Sequence, residues 1–167
     1  MSKVAVLMGS DSDLSVMKGC VKTLKDFGIE YEVRIISAHR TPYEAESFSK
    51  NAIDNGFSVI IAAAGKAAHL AGVLAAYTIL PVIAVPIKSS TLDGLDSLLS
   101  MVQMPSGIPV ATVAIDGAVN AGLLAAQILA LGDESVKNKL IEYKKKMADD
   151  VRKKDTELNA KIDELLQ

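Results

Sequence analysis

Short apolar runs alternate with longer amphipathic segments along most of this chain. "VAVLM" (4–8) ends at Gly9, and "SVIIAAA" (58–64) ends at Gly65. Runs this short, partly β-branched and bounded by glycine, predict strands buried on both faces. "YEVRII" (31–36) alternates as a strand does, "PVIAVP" (81–86) is bracketed by prolines, and "IPVATVAI" (108–115) completes a set of five. Between them lie helical patterns. "DLSVMKGCVKTLKDF" places Leu14, Met17, Val21 and Leu24 on one face and stops at Gly28. The spacing also predicts helices over 42–56, opening on Pro42, and over 66–78, 91–103 and 118–131. Strands alternating with helices through short connections imply a parallel sheet covered on both faces. Five strands in this length fit a flavodoxin-like, doubly wound three-layer sandwich, whose strand order the pattern leaves open.

Residues 133–167 follow a different rule. They hold no Gly or Pro, and Val136, Leu140, Tyr143, Met147, Val151, Leu158, Ile162 and Leu165 form one apolar stripe at helical spacing. A long C-terminal helix follows. Its stripe must be buried, either on its own domain or on a neighbouring subunit. The Lys144–Lys146 run is offset by nearby acids, so it predicts a solvated helix face and not a nucleic-acid patch.

Composition narrows the picture. The chain has 167 residues, a length suited to a single domain spanning 1–167. Half of them are hydrophobic and none is Trp, so the core must be built from Ala, Val, Ile and Leu. A formal net charge of −2 points to no polyanionic partner. The single cysteine, Cys20, lies on the apolar face of the first helix and cannot form an intramolecular disulfide. With two separated histidines it offers no familiar metal-site spacing. No signal-peptide core and no membrane span are evident, and a reducing cytoplasm is the expected compartment.

In an open parallel sheet, ligands bind beyond the carboxyl ends of the strands. Three polar segments stand there. "GSDSD" (9–13) offers hydroxyls, carboxylates and the free N–H groups of a helix start; it suits phosphate and ribose hydroxyls, and equally an ordinary helix cap. It is neither a GxGxxG fingerprint nor a P-loop. "SAHRTP" (37–42) contains Ser37, His39 and Arg40. A cap at Thr41 before Pro42 explains two of its residues and leaves the others over. Arg40 suits a phosphate, and His39 is of the residue type that titrates near neutrality. In "AAAGKAAHLAG" (62–72), Gly65, Ala67 and Ala68 leave backbone open to a ligand and Lys66 adds a cation. His69, inside a predicted apolar helix, fits a core position as well as a site. "VPIKSSTLDG" (85–94) could close the pocket.

Together, "MGSDSDL", "SAHRTP", "AAHL", "VPIKSSTLDGLDSLLSMVQMPSGIPVATVAI" and "NAGLLAAQILA" resemble the N5-carboxyaminoimidazole ribonucleotide mutase (PurE) family of bacterial purine biosynthesis, from about residue 3 to residue 131. The resemblance implies a flavodoxin-like fold, a homo-octamer assembled with help from the C-terminal helix, and a small-molecule ribonucleotide substrate. It implies a cofactor-free transfer of a carboxylate from the exocyclic nitrogen to ring carbon four. It assigns substrate contacts to Ser10, Asp13, Arg40, Ser37, Gly65 and His69, and proton transfer to His39. The family loop usually reads GAGGAAHLPG, and here Ala63, Lys66 and Ala71 depart from it. Lys66 adds bulk and charge where the family keeps backbone bare. A narrowed pocket, a contact to the carboxylate and a shifted loop are the open consequences. The alternatives are a carboxylase that uses CO2 directly, whose relatives carry a different loop, and a non-catalytic nucleotide-binding domain.

Overall fold

The computed structural model describes residues 3–166. Its centre is a five-stranded sheet of β1 (Lys3–Met8), β2 (Glu30–Ile35), β3 (Phe57–Gly65), β4 (Val82–Ile87) and β5 (Ala111–Thr112). All pairings are parallel, in the order β2-β1-β3-β4-β5. The chain therefore reverses its direction of winding between β1 and β3. That reversal opens a crevice at the carboxyl end of the sheet.

Alternate residues of the strands feed two separate cores. Val4, Val6, Val59, Ile61 and Ile83 face α1 (Leu14–Asp26) and α5 (Ala118–Leu129), with Met17, Leu24 and Ala125 opposite them. Ala5, Leu7, Ile60 and Ala62 face α2 (Pro42–Asn51), α3 (Leu70–Ala76) and α4 (Leu95–Val102), meeting Phe48, Leu74 and Met101. Each fully buried Leu or Ile contributes on the order of 2 kcal/mol to the driving force. The predicted three-layer sandwich is therefore the observed one, and Cys20 is buried within it.

Four predicted elements shrink, one of them the helix predicted over 42–56, which ends at Asn51. The fifth strand spans only Ala111–Thr112, the two residues paired in register with Ile83 and Ala84 of β4. The segment 91–103 divides into a 3-10 turn, Leu92–Gly94, and α4. Leu92 and Asp93 have φ of 53° and 51°, and Gly94 has φ of 94°, none compatible with a continuous right-handed helix. The helix predicted over 66–78 begins at Leu70, because Lys66 has φ of 57°.

Gly94 is the residue on which the loop after β4 turns. A Cβ there would sit 2.8 Å from Ile115 Cγ2 and 3.1 Å from Lys88 Cα. Gly94→Ala therefore combines a left-handed alanine with a backbone clash. It should cost more than about 1 kcal/mol, read as a melting temperature lowered by at least about 2–4 °C. An unchanged melting temperature would show that the loop adapts freely.

The C-terminal helix α6 (Glu134–Leu165) begins at Asp133, whose carboxylate accepts the N–H groups of Ser135 and Val136 at 2.9 and 3.1 Å. Val136, Leu140 and Tyr143 pack on the α1 side of the core, and Lys139 donates to the Phe27 carbonyl at 2.7 Å. Beyond them the stripe leaves its own chain: Met147, Val151, Leu158 and Ile162 are exposed. Among the described residues no helix is long and apolar enough to cross a membrane.

Candidate active site

A cavity of about 790 Å³ lies at the carboxyl end of the sheet, beside the winding reversal. Ser10, Asp13, Ser37, His39, Arg40, Gly65 and His69 all line it. Ser10 and His69, 59 positions apart in sequence, thus converge because parallel strands deliver their carboxyl ends to one edge.

The turn after β1 is both a cap and a cavity wall. The Ser10 hydroxyl accepts the Ser12 N–H at 3.4 Å, and the Asp13 carboxylate accepts the Ser10 N–H at 3.3 Å. This reciprocal capping box holds a 3-10 turn, Asp11–Asp13, ahead of α1. Asp13 is 5% exposed. Desolvation pushes its carboxyl above the ordinary value, while hydrogen bonds from the Ser10 backbone and the Ser12 hydroxyl pull it down. A carboxyl raised in the folded state favours folding while protonated, and that advantage is lost as pH rises through the raised value. Asp13→Asn should therefore raise the melting temperature at pH 7, with a smaller gain near pH 3. Calorimetry at the two pH values checks this, and a pH-independent gain would contradict the burial cost.

The turn after β2 closes on itself. Thr41 stands at the helix N-cap, yet its hydroxyl bonds no helix N–H. It accepts the Ser37 N–H at 3.0 Å and donates to the Ser37 carbonyl at 3.1 Å. The cap function expected of Thr41 is thus replaced by a clasp across the turn, which holds His39 and Arg40 outward. Arg40 donates to the Gly9 carbonyl at 2.8 Å and to the Ser37 hydroxyl at 3.4 Å, tying the first turn to the second.

The third segment carries the largest departure from the sequence reading. His69 is not inside an apolar helix; it is exposed and sits at the N-cap of α3. Its Nδ1 lies 2.9 Å from His39 Nε2, the rings meeting edge to face at 81°. One nitrogen donates and the other accepts, so the two imidazoles share a proton position. Gly65 ends β3 against β4, where a Cβ would stand 3.4 Å from the Ile87 carbonyl. The next residue, Lys66, is in the left-handed region, a conformation that costs an L-residue roughly 1–2 kcal/mol.

Lys88, Ser89 and Ser90 also line the cavity, from the loop that was expected to close it. Asp116 is a lining residue the sequence reading missed. Its carboxylate accepts the Lys88 N–H at 2.9 Å, and its φ is 55°. The signal was the Asp-Gly pair at 116–117, a turn signature immediately after the predicted fifth strand. Among the described residues no cluster of three or more His, Cys, Asp and Glu side chains could hold a metal ion.

A doubly wound sheet with serine, aspartate, arginine and paired imidazoles lining the crevice at its carboxyl end defines an α/β protein with a polar cavity at the winding reversal. The chain belongs to the AIR carboxylase family, whose model matches residues 3–150. It is 59% identical to the N5-carboxyaminoimidazole ribonucleotide mutase of Pyrococcus abyssi over 147 residues, 88% of this chain and 84% of that one. It is 56% identical to the mutase of the same name from Thermotoga maritima over 154 residues, 92% and 90% of the two chains. Among solved structures, Treponema denticola PurE superposes with a TM-score of 0.87 at 33% identity, covering 95% of this chain and 99% of that one.

Proposed function

We propose that this chain is an N5-carboxyaminoimidazole ribonucleotide mutase, an isomerase that moves a carboxylate from the exocyclic nitrogen to carbon four of the aminoimidazole ring. Its relatives at 52–59% identity carry that name. The single observation that carries the chemistry is the 2.9 Å contact between His39 and His69 at the cavity wall.

The reaction needs one proton delivered and one removed. Protonation of the carbamate nitrogen breaks the N–C bond and releases CO2. The electron-rich ring carbon four then attacks the CO2 carbon, and one C–O π pair moves onto oxygen to restore a carboxylate. Loss of the proton on carbon four restores the aromatic ring. An imidazole can donate in the first step and accept in the last. His39 takes that role, with His69 orienting its ring and contacting substrate. Ser10 and Asp13 bind the ribonucleotide, Arg40 and Ser37 hold its phosphate, and Gly65 gives the ring close access to backbone. Remote phosphate binding fixes the imidazole over the histidine pair, so that CO2 is recaptured before it diffuses away.

One catalytic domain per chain assembles, in this reading, into a cytoplasmic octamer. The exposed stripe of Met147, Val151, Leu158 and Ile162 supports a subunit contact, since such a face is costly to leave in water. Turnover of N5-carboxyaminoimidazole ribonucleotide without ATP tests the activity. Carboxylation of aminoimidazole ribonucleotide with bicarbonate in its place would favour direct CO2 fixation. Binding without turnover would leave only a nucleotide-binding domain.

A further inference from the structure

We infer that Lys66 is a specificity-determining residue that grips the migrating carboxylate, an assignment that rests on the mutase reading of the same site. Three cations line the cavity, and two of them are engaged. Arg40 is tied to the Gly9 carbonyl and the Ser37 hydroxyl, and Lys88 pairs with Asp93 at 3.2 Å. Lys66 takes part in none of the ion pairs found among the described residues. It is a cation facing a ligand cavity with no protein anion assigned to it.

Its backbone makes the side chain harder to dismiss. At φ of 57° glycine would be free of strain, and lysine is not. A strained non-glycine residue at a cavity wall is a pointer to what its side chain does there. Lys66 also belongs to the same loop as His69, three positions earlier, and lines the cavity that both histidines line.

The substrate offers two anions for the cations of this cavity, a phosphate and a carboxylate. Its phosphate suits Arg40, whose planar fork matches phosphate oxygens. Its carboxylate must lie where the proton carrier can reach the nitrogen that holds it. An ammonium there attracts the carboxylate of substrate and product alike. When carbon four attacks CO2, negative charge returns to the two oxygens, and the same ammonium stabilises that charge as it forms.

The test separates ligands by the group in question. Affinities for 4-carboxy-5-aminoimidazole ribonucleotide and for aminoimidazole ribonucleotide, which lacks the carboxylate, are measured by calorimetry on the parent, Lys66→Met, Lys66→Gly and Lys66→Arg. Lys66→Met should weaken the carboxylated ligand by about 10–100-fold and leave the other within about twofold, because a charge-assisted hydrogen bond is lost. Lys66→Arg should keep most of the preference. Lys66→Gly should melt higher than the parent and still lose the preference, so misfolding does not account for the loss. An unchanged affinity ratio in Lys66→Met overturns the assignment, as does Lys66→Gly turning over faster with its preference intact, which would mark the lysine as an obstruction. A parent that binds neither ribonucleotide overturns the mutase reading itself, a result distinct from either.

Discussion

Turnover of the His39→Asn variant should fall by about 10²–10⁴-fold, with the fold and the ribonucleotide affinity close to the parent's. The size is that of general acid–base catalysis, because asparagine keeps a polar side chain and cannot carry a proton between two substrate atoms. Folding should survive because His39 is exposed, at the tip of a turn held by Ser37 and Thr41 and not by the imidazole. Binding should survive because phosphate and ribose contacts belong to other residues. The signature is kcat and kcat/KM falling together with KM little changed, the mark of an interaction made only in the transition state. Circular dichroism and a binding isotherm on the same preparation separate this from misfolding. Activity within tenfold of the parent would remove His39 from the role of proton carrier and leave His69, 2.9 Å away, as the next residue to test.

The hydrophobic pattern made the sheet legible because β1, β3 and β4 are buried on both faces, and an uninterrupted apolar run has few other uses. It misjudged the fifth strand for a related reason. "IPVATVAI" is apolar, but its regular ladder covers only Ala111 and Thr112 although β4 runs on to Ile87, and no local pattern records that register. The site was legible in its residue types, since Ser10, Asp13, Ser37, His39, Arg40, Gly65 and His69 stand after three successive strands. What was hidden depends on backbone dihedrals. Lys66, with φ of 57°, breaks the helix that its neighbours' composition predicts, and so frees His69 from a core position to meet His39. Asp116 was hidden likewise, because its contact is with the N–H of a residue 28 positions away. The stripe on α6 divides for a reason outside its own periodicity: the body of the domain ends near Tyr143, and the helix continues.

Arg40→Ala should raise KM by about 10²-fold or more, with a smaller effect on kcat. Each charge-assisted hydrogen bond from a guanidinium contributes about 1.5–3 kcal/mol, so even one lost contact to phosphate is worth more than tenfold. Arg40 spans from the Ser37 hydroxyl to the Gly9 carbonyl, so its removal also unties the turn after β1 from the turn after β2. A purely structural role would weaken every ligand; a phosphate role weakens only ligands that carry phosphate. Comparing the ribonucleotide with its dephosphorylated nucleoside on parent and variant makes the distinction. If Arg40 binds phosphate, the parent's preference for the nucleotide collapses in Arg40→Ala, while nucleoside binding stays near the parent's. Arg40→Lys should fall between them, keeping a charge and losing the planar fork. An unchanged KM in Arg40→Ala would count against the phosphate assignment. Equal weakening of nucleotide and nucleoside would assign the arginine to holding the two turns together.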